Sequence, residues 1–423
     1  MQIRGLFADT APLRNPHFRR LWSANIVTVI GAQLTVVAVP AQIYAITGSS
    51  AYVGLTGLFG LVPLVVFGLW GGALADVIDR RTILVFSTLG LIVTSACFWL
   101  QAAAGADDVW LLLGLFSLQQ AFFAVNQPTR SAILPKLLPD NELPAANSLN
   151  MTVMMAGAIA GPLVGGALIP LVGFSWLYLV DTLTLFATLQ AVVRLPRLAV
   201  EGASGTPGLR AVVDGLSYLR GHPVLLMSFL VDLIAMVFGM PRALFPQIAH
   251  VDFGGPAEGG LAFALLFAAI PLGSVIGGVF SGWVSRVQRQ GLAVVVAIGV
   301  WGLAITGFGL AVALADGART VMLAVAVLML VIGGAADMAS AAFRQSMLQA
   351  SASDAMRGRL QGVFIVVVAG GPRIADVAHG GAAAVVGTAA TAAGGGVLVV
   401  LLVVVAALAV PVFVRYRLGA AVE

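Results

Sequence analysis

The chain has 423 residues, of which 60% are hydrophobic and only 9% charged, against roughly 45–50% and about 25% in a soluble domain. Its mean hydropathy is +1.02, and that much apolar surface cannot be hidden in one water-soluble core, so the composition excludes a soluble globular protein and specifies a polytopic membrane protein. The net charge of +4 and pI of 9.7 come from basic residues scattered through loops, which argues for topogenic charge rather than a nucleic-acid partner.

Residues 1–20 carry Arg4, Asp9, Arg14, Arg19 and Arg20 with no apolar run, so no cleaved signal peptide is expected. Twelve stretches then reach the roughly 20 mostly apolar residues that a transmembrane helix needs. Spans 1 to 6 cover about 21–46, 52–75, 82–104, 109–127, 147–172 and 175–193. Spans 7 to 12 cover about 224–249, 261–284, 291–314, 320–343, 360–387 and 391–414. Between them, 194–223 is the longest polar stretch, and "EGASGTPG" within it reads as a flexible linker. The expected architecture is all-α, with twelve transmembrane helices in two six-helix bundles, 1–193 and 224–423, joined by the linker 194–223. Nearly all of the 22 basic residues, Arg344, Arg357 and Arg359 among them, fall in loops on the side of the N-terminus. That bias predicts a multi-pass protein of the bacterial inner membrane with both termini in the cytoplasm.

The two halves repeat. "RSAILPKLLPDNEL" from Arg130 aligns with "RQSMLQASASDAMR" from Arg344, "NPHFRRLWSANIV" from Asn15 with "HPVLLMSFLVDLI" from His222, and "GGALAD" from Gly71 with "GGVFSG" from Gly277. Parallel repeats of this kind suggest two facing bundles with a site near the midplane. Single Cys97 lies in an apolar run, which excludes a disulfide framework or a CxxC metal site and leaves it a packing role.

Three features carry chemistry. The first is "DVIDRR", residues 76–81, four charges between two apolar runs. Gly72 and Ala75 keep the end of span 2 slim enough for a helix to approach. Asp76 there is placed to accept hydrogen bonds from a helix N-terminus, worth roughly 0.3–1 kcal/mol, and span 11, starting near Arg357 and Arg359, supplies one. Arg80 and Arg81 suit a cytoplasmic gate or plain topology anchors equally well. The second is the run from Gly157 to Gly166 in span 5, with Gly157, Gly161, Pro162, Gly165 and Gly166 at fixed spacing. Pro162 removes a backbone donor and bends the helix, while the glycines permit close helix contact.

The third is charge inside the spans, which is costly enough to mark function. Asp181, Asp232 and Asp337 lie in spans 6, 7 and 10; Arg242 lies near the outer end of span 7; Arg373, Asp376 and His379 share one face of span 11. A carboxylate one turn from a cation, as Asp376 is from Arg373, suits an ion pair or a substrate contact. A proton carrier must instead titrate near neutral pH, far from a carboxylate's ordinary value of about 4. Asp232 has only Ser228, Phe229, Ala235 and Met236 in its adjacent turns and lies near the midplane, so it is the first candidate; Asp337 is the second. Asp181, on the sixth span, reads as structural. Asn25, Gln33, Gln119, Gln120 and Asn126 on spans 1 and 4 read as cavity lining or as glue between helices.

These residues resemble a known family. "GALADVIDRR" from Gly72 is similar to the loop 2–3 signature of the major facilitator superfamily, departing from it at Val77 and Asp79. The run from Gly157 to Gly166 resembles the antiporter motif of exporters in that superfamily. "VAVPAQIYAITGSSAYVGL" from Val37, "AAIPLGSVIGGVFSG" from Ala268 and "SMLQASASDAMRGRLQGV" from Ser346 extend the resemblance, over nearly the whole chain, to the siderophore-exporting branch. It implies a cytoplasmic gate at Gly72, Asp76, Arg80 and Arg81, a peripheral sixth span, and export in preference to import. No Walker A loop, HExxH, GxSxG or spaced His/Cys cluster is present, so neither enzyme nor ATP-driven pump is expected, and no metal or cofactor. The expected function is proton-coupled efflux of a siderophore or hydrophobic small molecule by a monomer in the lipid bilayer. A broad multidrug pump and a non-transporting receptor or scaffold are the alternatives.

Overall fold

A computed structural model describes residues 9–75, 78–196, 217–351 and 354–417. Among them every regular element is helical, as a chain must be where no water satisfies its backbone and no barrel closes. Asn15 shows how the local sequence starts such a helix. Its Oδ1 accepts from the amides of His17 (2.9 Å) and Phe18 (3.2 Å), while Pro16, which has no amide to satisfy, takes the first helical position. That opens α1 (Pro16–Thr47), followed by α2 (Ser50–Ala75), α3 (Arg80–Ala103), α4 (Val109–Leu137) and α5 (Leu143–Val193). Most of the expected linker, 197–216, lies outside the described residues. Then come α6 (Pro223–Gly239), α7 (Leu261–Val279), α8 (Gln290–Ala313), α9 (Arg319–Ser351), α10 (Asp354–Val386), α11 (Thr388–Ala409) and the short α12 (Pro411–Arg415).

Ten helical stretches among the described residues are long and apolar enough to cross a membrane. One of them holds α5, which is two arms interrupted at Gly173, whose φ of 78° and ψ of 167° suit only a residue without a Cβ. The break separates the stretches expected as spans 5 and 6. The 33-residue α10 lies beyond those ten. Large apolar side chains such as Phe86, Leu171, Val279 and Leu408 point outward and exposed, which suits a lipid environment.

Contacts divide the chain into two compact units, one of residues 1–42 and 62–208, the other of residues 43–61 and 209–423. In the first, α3 packs on α4 and α5. In the second, α8 packs on α9 and α11, α9 on α7, and α10 on α6.

Two expectations are corrected. Span 7, expected over 224–249, falls within the apolar helical stretch Pro223–Asp252, but that stretch is not one regular helix: α6 ends at Gly239. The chain then takes a 3-10 turn (Arg242–Leu244), one α-helical turn (Phe245–Gln247) and a π turn (Ile248–Asp252). Pro241 and Pro246 have no amide to donate, so each leaves a gap in the hydrogen-bond ladder where the regular helix gives way. Helices α4 and α9 also outrun their expected ends at 127 and 343, so Arg130, Lys136 and Arg344 lie on helices rather than in loops. Hydropathy marks where lipid-facing surface stops, and a helix need not stop there.

Candidate functional site

In the first unit the motif glycines of α5 face α1. A Cβ on Gly157 would collide with Val29 Cγ1 and one on Gly161 with Gln33 Cβ, and one on Gly165 would lie 2.8 Å from Leu34 Cδ2. Gly157, Gly161, Pro162, Gly165 and Gly166 are all buried, so the two helices approach at backbone distance over about two turns. Arg80 Nη1 donates to the Ala132 carbonyl of α4 (3.0 Å), and Arg81 Nη2 to the Val193 carbonyl at the end of α5 (2.6 Å). Both cations therefore satisfy carbonyls in the last turns of helices. Gly72 falls in the last turns of α2, and Asp76 lies outside the described residues. Asn126 ties α4 to α3 through Ser87 Oγ (2.9 Å) and Thr88 Oγ1 (3.2 Å). Asp181, 1% exposed, accepts at Oδ2 from Thr35 (2.7 Å) and Ser95 (3.0 Å), joining α5 to α1 and α3.

The second unit holds the charges. Asp232 has no cation on its own helix, but α9 supplies one: the Arg344 guanidinium pairs with its carboxylate and lies 3.9 Å from Asp337 Oδ1. The side chains of Arg344 and Asp232 are 4% and 2% exposed and that of Asp337 27%, so one buried cation stands between a buried acid and a wetter one. Arg344 Nε also donates to Ser340 Oγ (3.1 Å). The reading of Arg344 as a loop residue, and of Asp232 as remote from any cation, is overturned. Its cation comes from a helix distant in sequence, which own-helix spacing cannot reveal. The repeat held the missing signal: aligning Asn15 with His222 sets Asn25 over Asp232, and the second alignment sets Arg130 over Arg344. In the first unit Arg130 correspondingly reaches α1, donating to the Leu21 carbonyl at 3.4 Å, one turn before Asn25.

A second cluster gathers where α6 breaks. Arg242 Nη2 donates to Asp376 Oδ2 at 2.8 Å. The partner of Asp376 is therefore Arg242, whereas the shared helix face had pointed to Arg373. Arg373 runs along α2, its carbonyl against Gly57 and its guanidinium beside Gly60. His379, 5% exposed, meets two carbonyls of the broken segment, Met240 at Nδ1 (2.8 Å) and Phe238 at Nε2 (3.0 Å). Trp301 Nε1 of α8 takes a third, that of Ala235 (3.1 Å). The last carbonyls of a helix have no partner within it; here His379 of α10 meets those of Phe238 and Met240.

Buried ion pairs around a discontinuous helix in a polytopic chain are features of secondary transporters, and this one is a major facilitator transporter. The chain belongs to the family described as transmembrane secretion effector, which matches residues 7–418. It is 29% identical over 374 residues to the enterobactin exporter EntS of Shigella boydii serotype 18 (strain CDC 3083-94 / BS512), covering 87% of this chain and 85% of that one. With the enterobactin exporter EntS of Escherichia coli O1:K1 / APEC it shares 28% over 375 residues, with the same coverage. Among solved structures, the fold is similar to that of the nucleoside transporter NupG (TM-score 0.74, 12% identity, 92% of this chain and 99% of that one). It is also similar to a bacterial homologue of the iron transporter ferroportin (TM-score 0.66, 15% identity, 94% and 98%).

Proposed function

We propose that this protein exports a siderophore or a similar hydrophobic small molecule across a bacterial inner membrane by alternating access, driven by inward proton flow. The observation that carries export is the 29% identity to a named exporter over 87% of the chain. In this reading the protein works as a monomer with both termini in the cytoplasm, its twelve helices forming bundles 1–193 and 224–423 about the linker 194–223. Gly72, Asp76, Arg80 and Arg81 form the cytoplasmic gate, and Gly157, Gly161, Pro162, Gly165 and Gly166 the sliding contact that favours export. Arg242, Arg373, Asp376 and His379 are the substrate or ion-pair residues.

Support for coupling comes from Arg344 set between Asp232 and Asp337. A proton on Asp232 removes the charge that holds Arg344, leaving Asp337 as its only partner in the triad. Protonation thereby becomes a change in what joins α6 to α9. Asp337, the more exposed acid and the one nearer the cytoplasmic end of α9, is the side toward which an inward-moving proton leaves. In reconstituted vesicles, a pH gradient should drive uphill movement of a catecholate siderophore. Asp232→Asn should lose that uphill transport yet keep substrate-for-substrate exchange. Retained uphill transport in the variant would clear Asp232 of the role. Metabolite profiling of iron-poor medium, with and without the protein, tests the cargo: loss of several unrelated compounds rather than one siderophore class would favour a multidrug pump.

A further inference from the structure

We propose that His379 is a proton-binding site separate from the acidic pair, whose imidazolium clamps the break in α6 and releases it when the proton leaves. The argument begins with what a carbonyl can do. A backbone carbonyl only accepts, and both ring nitrogens of His379 face one, Nδ1 that of Met240 at 2.8 Å and Nε2 that of Phe238 at 3.0 Å. A neutral imidazole has one N–H; only the cation has two. The geometry around His379 is therefore that of an imidazolium. A neutral ring would turn a lone pair toward one of the two oxygens.

Burial of the ring opposes a charge there, and two features of the position work the other way. The carbonyls lie at the C-terminal end of α6, where the helix dipole attracts a cation, and a ring only 5% exposed has little water at hand to take over a lost bond. Charged neighbours come from two elements. On α10, Asp376 lies one turn before His379 and Arg373 two turns before it; from the broken segment, Arg242 pairs with Asp376. Asp376 Oδ1 is buried and, among the described residues, meets no hydrogen-bond donor, so the carboxylate retains an acceptor within the cluster. Helix α11, which packs on the ring through Gly395, carries no ionisable side chain. Residues 50–61, which pack on α10 through Gly54 and Gly57, carry only Tyr52.

On loss of one proton to solvent the ring keeps a single N–H, and either Phe238 or Met240 loses its donor. The segment from Phe238 to Arg242 can then move relative to α10, and Arg242, which belongs to it, changes its distance from Asp376. The clamp thus joins a protonation event to the shape of the discontinuous span. Its place in a transport cycle rests on the exporter reading; the titration does not.

The chain has four histidines, few enough for nitrogen NMR on the full protein, 15N-labelled at histidine, in lipid nanodiscs. The His379 signals are those missing from His379→Gln. The expected result is a ring protonated at both nitrogens that converts in one step to a singly protonated ring as pH rises between about 5 and 8. With that step, hydrogen exchange of the Phe238, Gly239, Met240 and Arg242 amides, corrected for intrinsic rate, should rise. His379→Lys, which keeps a charge and three donors, should hold those amides protected across the range, and its transport should lose the wild-type pH profile. A ring with one proton throughout overturns the proposal, as does a wild-type pH response of those amides in His379→Lys. The spectroscopic arm needs no substrate, so it decides the clamp even if the exporter reading fails.

Discussion

Removing the cation of the acidic pair should harm the fold more than removing either acid. Arg344→Gln leaves Asp232 and Asp337 facing each other with no positive charge in the triad. Breaking a buried pair in this way costs roughly 3–5 kcal/mol. Asp232→Asn is milder because Arg344 still has Asp337 at 3.9 Å. At an effective dielectric near 20, two charges at that distance attract by about 4 kcal/mol before desolvation is counted. The net loss should then fall near that of one buried polar partner, about 1–3 kcal/mol. The double variant Asp232→Asn/Arg344→Gln removes both members, so it should be less damaging than the sum of the singles by about 0.5–3 kcal/mol. Unfolding in mixed micelles with a rising fraction of SDS, followed by the helical circular dichroism signal, measures all three. If Arg344→Gln unfolds no more easily than Asp232→Asn, or the double variant is additive, the triad is not the coupled unit described here.

Gly161→Val should insert normally but abolish transport, because its side chain would be driven into Gln33 of α1; full flux from a well-expressed variant would show that the contact is dispensable. Asp181→Leu should cost about 1–3 kcal/mol in the same micelle assay by stranding the Thr35 and Ser95 hydroxyls, whereas Asp181→Asn, which keeps an acceptor, should cost less; equal losses would place the role of Asp181 in its charge. Asp76→Asn should slow export while leaving substrate binding intact, and unchanged flux beside the wild type would remove Asp76 from the gate.

Membrane residence and helical class were written in the sequence, because lipid leaves the backbone no other partner than its own chain. A 60% apolar composition with regular breaks therefore reads directly as helices that cross. The close approach of α5 was legible for a related reason. Glycines at fixed spacing from Gly157 to Gly165 permit backbone contact whatever the partner, although only the fold shows that α1 supplies it. The tertiary structure alone decided the charges. Asp232 takes its cation from α9, Asp376 takes Arg242 rather than Arg373 one turn away, and His379 meets the carbonyls of a span that hydropathy had drawn unbroken. Periodicity along one helix tells which face a charge occupies, but its partner lies on another helix. That pairing is set by how the helices pack, and even the repeat that lines Arg130 up with Arg344 gives only the register.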